Sequence, residues 1–365
     1  MRQTYFLNVN EKFHDPKDLF NAASKAKDDI RAIVREMGIP VFSMRKNSTP
    51  VKLLNTLIDA FRYLSLLTRI LFNIKKGGIL IVQRRLSYVK IGMLTKILNL
   101  RGCQLCLIVH DINSLRFEPH ESEIKGLNKA RFLIVHTKAM KEKLTELGVK
   151  TQMIVLDIFD YVTDKSPIAK RENSDKVVFA GNLDKTDFLP LIRHISAPEF
   201  YFYGFHTPEK LSGITNITYK GKFSPMHVCD IDGSWGLVWD GNSIDTCSGL
   251  LGKYLRYNAP HKCSLYIAAH LPLIVWEESA MAPFVRENGI GICVKSIGEI
   301  KDGISKISDD EYAEMQRKLE MLSKRLDCGE QMKNAIRKVS GEITEPNGNT
   351  MTTKQTIKHG KTFWI

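Results

Sequence analysis

Short β-rich runs alternate with longer helix-period segments from one end of this 365-residue chain to the other. That alternation constrains the fold more than any composition figure, because it closes economically only as parallel sheets with helices on their faces. In the first half the strand-like runs are Tyr5–Val9, Pro40–Met44, Ile79–Gln83, Leu105–His110, Phe132–His136 and Met153–Leu156. Helical patterns lie between them near residues 16–37, 51–73, 88–100, 119–129 and 138–147, the last stopped by Gly148. The second half restarts with Val177–Ala180, Phe200–Tyr203, Ile217–Tyr219, Gly236–Trp239, Leu273–Trp276 and Gly291–Val294, and closes on a charged helical run from about Asp309 to Val339.

The polar stretch from Asp164 to Asp175 has turn chemistry throughout and little to bury. It divides the chain into an N-terminal Rossmann-like domain over 1–165 and a C-terminal one over 166–340. Residues 341–365 read as a tail without apolar periodicity, expected to lack stable structure. The predicted class is α/β, two doubly wound parallel-sheet domains facing a cleft.

With 53 Lys and Arg against 40 Asp and Glu, the net charge of +13 favours a phosphate-bearing or polyanionic partner. The cations are scattered, with short clusters only at Lys75-Lys76 and Arg84-Arg85, and no zinc-finger, RNP or homeodomain pattern occurs. No nucleic-acid role is therefore expected. Seven irregularly spaced cysteines suit a reducing cytosol, and the lone Cys103/Cys106 pair enters a strand, so it is read as buried thiols. Met1-Arg2-Gln3-Thr4 runs straight into a strand and is not read as a signal peptide, which makes the expected location cytoplasmic. Leu53–Ile74 is interrupted by Asp59, Arg62 and Arg69, too costly for a spanning helix and natural for a one-sided one. Neither G-x-G-x-x-G nor G-x-x-x-x-G-K-[ST] occurs.

Ligands of doubly wound sheets sit beyond the carboxyl ends of the strands, so the residues just after each run carry the chemistry. Gly181-Asn182-Leu183-Asp184-Lys185 offers close backbone approach, the N–H groups of a following helix and a lysine for a diphosphate. In Tyr257-Asn258-Ala259-Pro260-His261-Lys262, Pro260 is placed as the first helical residue, with His261 and Lys262 in the first turn. Cations there oppose the helix dipole by roughly 0.3–1 kcal/mol, a sign that a bound anion reverses. Trp239-Asp240-Gly241 opens a polar loop, Asn242 to Lys253, in which Thr246 and Ser248 present hydroxyls to a sugar or a phosphate, or else simply make turns. His110-Asp111 ends a buried strand at the cleft, where Asp111 would act as a general base or, alternatively, cap a turn. Ser24 and Lys25 near the first strand-to-helix passage are ligand contacts or an exposed helix face, and Asp230-Ile231-Asp232 is a formal but unflanked D-x-D.

Gly181-Asn182-Leu183, Trp239-Asp240-Gly241, the Tyr257–Lys262 segment, His110-Asp111 and Leu156-Asp157-Ile158-Phe159-Asp160-Tyr161 together resemble the bacterial β-1,6-galactofuranosyltransferase family. The resemblance extends to glucosyltransferases that elongate glycans on serine-rich-repeat adhesins. It implies a GT-B architecture with the donor nucleotide on the second domain, the acceptor on the first, and no metal bridge to the diphosphate. By it, Asn182, Lys185, Tyr219, Thr246, Asn258, His261 and Lys262 would line a UDP-sugar site; from their own positions Gly181 and Asp240 are expected beside these residues, and Ser24, Lys25 and His110 toward the acceptor. The chain departs from its relatives in Asn21-Ala22-Ala23, where a glycine is common after Asn-Ala, and in Ala259, where many carry a second asparagine.

The expected activity is transfer of a hexosyl group from a UDP-sugar to a glycan acceptor, lipid-linked or protein-linked, with inversion and no cofactor. Homo-oligomerisation and peripheral contact with the inner face of the membrane are further expectations. The rivals are an epimerase-type nucleotide-sugar enzyme and a non-catalytic partner seated on a membrane through the basic helix near Leu53–Phe72, which is otherwise a core helix or an oligomer interface.

Overall fold

The computed structural model describes residues 2–9, 24–44, 52–83, 87–205 and 211–341. The helical pattern before residue 24, Asn21-Ala22-Ala23, Arg84-Arg85 and the tail from residue 342 lie outside the described residues.

All twelve strand-like runs form strands. In the N-terminal lobe these are β1 (Thr4–Val9), β2 (Val41–Met44), β3 (Ile79–Val82), β4 (Gln104–Ile108), β5 (Phe132–Val135) and β6 (Gln152–Val155). They make one parallel sheet in the order β2-β1-β3-β4-β5-β6. The C-terminal lobe repeats the scheme with β7 (Lys176–Ala180), β8 (Glu199–Tyr203), β9 (Ile217–Gly221), β10 (Trp235–Val238), β11 (Leu273–Trp276) and β12 (Gly291–Val294). Their order is β12-β11-β10-β7-β8-β9, again wholly parallel.

Period-two alternation sends Leu80, Val82, Leu105 and Leu107 into one core and Ile79, Ile81, Cys106 and Ile108 into another on the opposite face. Burial on both faces is why these strands read as unbroken apolar runs. The first core is covered by α2 (Lys52–Asn73), α3 (Tyr88–Leu100) and α6 (Lys138–Glu146), the second by α1 (Lys25–Glu36). Cys103 and Cys106 are free, buried thiols, as their place at the entry to a strand suggested.

Three element assignments need correction. The run 119–129 is the shorter α5 (Glu121–Leu127), preceded by an unanticipated single turn, α4 (Asn113–Arg116). The loop expected over 242–253 ends early, because α7 (Gly249–Tyr254) forms inside it, ahead of α8 (His261–Ala268), α9 (Ala282–Asn288) and α10 (Ile300–Ser305). The closing run is two helices, α11 (Asp309–Asp327) and α12 (Glu330–Ser340), because Gly329 between them is left-handed at φ 72°. A Cβ at Gly329 would lie 2.5 Å from Ile33 Cγ1, so only glycine lets the chain turn against α1. α12 then packs on α1 and β6 of the N-terminal lobe, with Asp160 accepting from the Gln331 and Met332 N–H groups at its amino end.

Among the described residues no helix is long and apolar enough to cross a membrane.

Candidate active site

Strand order reverses between β1 and β3 in the first sheet and between β10 and β7 in the second, and ligands of open α/β sheets bind beyond such points. Lys262 occupies the second. From the first turn of α8 its Nζ reaches to 3.4 Å from the Trp239 carbonyl, 3.2 Å from Asp240 Oδ1 and 4.4 Å from the Phe179 ring centroid. One ammonium thus spans the carboxyl ends of β10 and β7.

Pro260 is the N-cap of α8, not its first helical residue, because its ψ of 138° keeps it extended; no side chain caps this helix start. His261 follows, its ring stacked on Tyr161 at 5.0 Å. Burial, with the Lys25 ammonium adding to it, pushes the His261 pKa down to about 3 against the pull of the Asp160 backbone, so the ring is neutral. His261 Nε2 and Asn258 Oδ1 are buried and have no hydrogen-bond partner.

Across the seam, a cavity of about 350 Å³ opens beyond β3 and β4, lined among others by Lys27, Gln83, His110, Asp111 and Arg116. Three buried polar atoms of this lining lack partners: Gln83 Oε1, His110 Nε2 and Arg116 Nε. Unsatisfied buried polar groups cost about 1–3 kcal/mol each, so their concentration at the two lobes' facing ends marks a surface shaped for a polar ligand. His110 lies flat on Phe159, ring centroids 5.8 Å apart, and burial together with the nearby His136 and Lys27 pushes its pKa down to about 3. Asp111 is exposed at the rim and pairs with Arg116 at 2.8 Å. It does not cap α4, whose N-cap is Ile112.

The lobes are stitched by contacts that the sequence did not announce. Arg116 stacks over the Tyr254 ring of α7 at 4.7 Å, and the Tyr254 hydroxyl accepts the Ile112 N–H at 3.3 Å. Thr137 donates to the Tyr257 carbonyl at 2.5 Å, and Ser264 to the Phe159 carbonyl at 2.7 Å. His136 Nδ1 accepts the Ala259 N–H at 3.3 Å, which leaves Nε2 protonated to donate to the Val109 carbonyl at 3.1 Å. This neutral bridge ties the backbone before Asp111 to the backbone before His261.

Burial pushes the His136 pKa down to about 4. A histidine whose folded pKa lies below its unfolded value of about 6.5 binds fewer protons when folded, so its contribution is intact above about pH 6.5 and declines as pH falls toward 4. A glutamine in its place keeps one acceptor and one donor but does not titrate. We therefore expect His136→Gln to lose less stability than the parent between pH 7 and 5, by up to about 1.4 kcal/mol per pH unit below 6.5. Urea titrations at the two pH values check this, and equal losses in both proteins would rule the bridge out as a titrating group.

Other nominated residues fare differently. Lys25 is neither an exposed helix face nor a free ligand contact: it is buried, ion-paired with Asp29, bonded to the Val162 carbonyl at 2.5 Å and 4.4 Å from the Tyr161 ring centroid. Ser24 is the N-cap of α1 without a side-chain capping bond. The segment after β7 is a 3-10 turn over Leu183–Lys185 and not an α-helix offering free N–H groups. Its amides are taken: Leu183 N–H by the Phe205 carbonyl, Asp184 N–H by Asn182 Oδ1 and Lys185 N–H by the Asn182 carbonyl. Lys185 and Thr246 are exposed. Tyr219, on edge strand β9, donates its hydroxyl to the Gly204 carbonyl at 2.9 Å.

The Gly181 backbone packs closely against Gly204 of the neighbouring strand end. At φ 139°, a Cβ on Gly204 would sit 1.7 Å from the Gly181 oxygen. Gly204→Ala is therefore expected to cost at least about 2 kcal/mol, seen as a lower urea midpoint; an unchanged midpoint would contradict the packing.

Asp232 of the formal D-x-D pairs with Lys220 at 2.8 Å, and no cluster of three His, Cys, Asp or Glu suited to a metal ion occurs among the described residues. Gln83, Arg116, His136 and Tyr254 were not singled out from sequence. The signal for Gln83 was present, a polar residue closing an apolar strand run.

Family models described as glucosyltransferase 3-like match the chain twice, the N-terminal domain over residues 6–158 and the C-terminal domain over 177–339. β-1,6-Galactofuranosyltransferase WbbI of Escherichia coli K12 is 29% identical over 244 residues, 65% of this chain and 71% of that protein. Glucosyltransferase 3 of Streptococcus gordonii is 26% identical over 235 residues, 62% of this chain and 67% of that protein. Among solved structures, Anabaena HepE in complex with UDP-glucose superposes with a TM-score of 0.58 at 11% identity, covering 92% of this chain and 99% of that one, a likeness of fold.

Proposed function

Because the chain belongs to the glucosyltransferase 3-like family, we propose that it transfers a hexosyl group of the galactofuranose or glucose class from a UDP-sugar to a hydroxyl of a glycan acceptor. It is a glycosyltransferase of GT-B fold, and the reading adds which residues do the work. The observation that carries it is Lys262 at the switch point of the second sheet, next to a helix start that no side chain caps and to the unpartnered His261 Nε2 and Asn258 Oδ1.

In this reading the diphosphate lies against the first turn of α8, where backbone N–H groups and the Lys262 ammonium meet its oxygens, and His261 donates to it only in the tautomer that carries its proton on Nε2. The acceptor hydroxyl enters from the cavity beyond β4. Its oxygen attacks the anomeric carbon, Asp111 takes the proton, and the bond from that carbon to the β-phosphate oxygen breaks, releasing UDP with inversion. Negative charge grows on the leaving diphosphate, so the cation and helix end there favour the transition state over the bound donor. No metal is assigned a part in this proposal. The acceptor, the donor sugar and a cytoplasmic site of action belong to the same proposal.

Incubation with UDP-glucose, UDP-galactose and UDP-galactofuranose, with and without oligosaccharide acceptors, tests it. Acceptor-dependent UDP release is the expected result. Donor conversion without any acceptor would instead favour an epimerase.

A further inference from the structure

The outer surface of α2 and α3 carries the largest concentration of exposed apolar side chains in the described structure. On α2, Leu57 is 60% exposed, Phe61 73%, Leu64 55% and Phe72 79%; on α3, Val89 and Leu100 are each 73% exposed. At about 100° per residue the α2 side chains fall within one arc of about 80°, opposite the buried Tyr63, Leu66, Leu67, Ile70 and Ile74. α2 is thus apolar on two sides, and only one of them meets the core. Both helices pack into the same core on the same face of the sheet, so their outward faces share a direction.

The charge of the segment that carries this face is one-sided. Between residues 52 and 101 the sequence holds ten Lys and Arg and a single acid, Asp59. No long tract betrays this, because the cations come in ones and twos along the sequence, yet the window supplies most of the chain's +13. Arg69, Lys75, Lys76 and Lys96 are exposed.

We propose that the α2–α3 face docks on an anionic bilayer, its Phe and Leu side chains in the acyl boundary and the surrounding cations on phosphate headgroups. A second copy of the chain would set like charge against like charge across a two-fold contact, whereas an anionic membrane complements both the apolar arc and its rim. Each helix runs antiparallel to the strands it connects, so the amino ends of α2 and α3 lie at the cleft end of the sheet. A membrane on this face would therefore run alongside the lobe with its edge at the cleft mouth. The surface is distinct from the cleft and does not rest on the transfer reaction.

The test is flotation of the full chain with phosphatidylcholine vesicles, with or without about a third phosphatidylglycerol, in rising salt. The expected result is binding to anionic vesicles that weakens at least tenfold as salt screens the cations, with far less binding to neutral ones. Leu57→Gln/Phe61→Gln/Leu64→Gln alters exposed positions only, and is expected to lose at least tenfold in vesicle binding with an unchanged circular dichroism spectrum. A parent that stays unbound on anionic vesicles at low salt overturns the proposal. So does a parent that is dimeric by light scattering without lipid and becomes monomeric in the triple variant, which would assign the face to a second copy.

Discussion

Lys262→Ala is expected to lower turnover by about 10²–10³, the cost of removing one preorganised donor from a site where charge develops. In the parent, UDP should bind more tightly than uridine because the diphosphate meets the Lys262 ammonium and the α8 amides. In the variant most of that difference should vanish, while uridine affinity stays close to the parent's. The comparison separates a phosphate contact from a structural role, since a general loosening of the lobe would weaken both ligands alike. Lys262→Arg is not a safe rescue: the side chain lies over Phe179, with its Cε 3.4 Å from the position a Cβ on Gly181 would take, and a planar guanidinium does not fit where a point charge does. Unchanged turnover in Lys262→Ala would remove the residue from the mechanism.

Asp111→Asn is expected to fall by about 10²–10⁴ in kcat with little change in donor affinity, the range in which general-base catalysis contributes. The carboxylate is half exposed at the rim of the cavity and held by Arg116, which itself leans on Tyr254 from the opposite lobe. Asparagine preserves size and one acceptor oxygen for Arg116, so the lobe contact should survive. Acceptor-dependent UDP release gives kcat, and a thermal shift with UDP-sugar reports donor binding, because a ligand of the native state alone raises its stability. Turnover within threefold of the parent would mean that another group takes the proton.

The strands were legible because burial on both faces of a parallel sheet leaves an unbroken apolar run, as in Ile79–Val82 and Phe132–Val135. The start of α8 was legible for a similarly local reason, a proline directly ahead of the helical run from His261. What was not legible depends on distant partners. His136 closes an apolar strand run as Gln83 does, but it bonds to residues 27 and 123 positions away, and the run does not name those partners. Lys25 forms an i,i+4 pair with Asp29 that spacing alone permits, but its burial is decided by Val162, 137 residues on. The 3-10 turn after β7 defeated the expected phosphate-binding helix because Asn182 claims the nearby amides, a competition between side chain and backbone that a glycine-led pattern does not reveal. The run Leu53–Ile74 reads as a one-sided helix, whereas α2 is apolar on two sides and only one is covered, because which side meets the core depends on the sheet beneath it.

On the proposed function the amino end of α8 grips a nucleotide diphosphate between the lobes. A crystal structure of the chain with UDP measures it directly. The β-phosphate is expected within hydrogen-bond distance of Lys262 Nζ and of the first-turn N–H groups of α8; UDP seated elsewhere, with Lys262 still turned to Asp240, would overturn the proposed site.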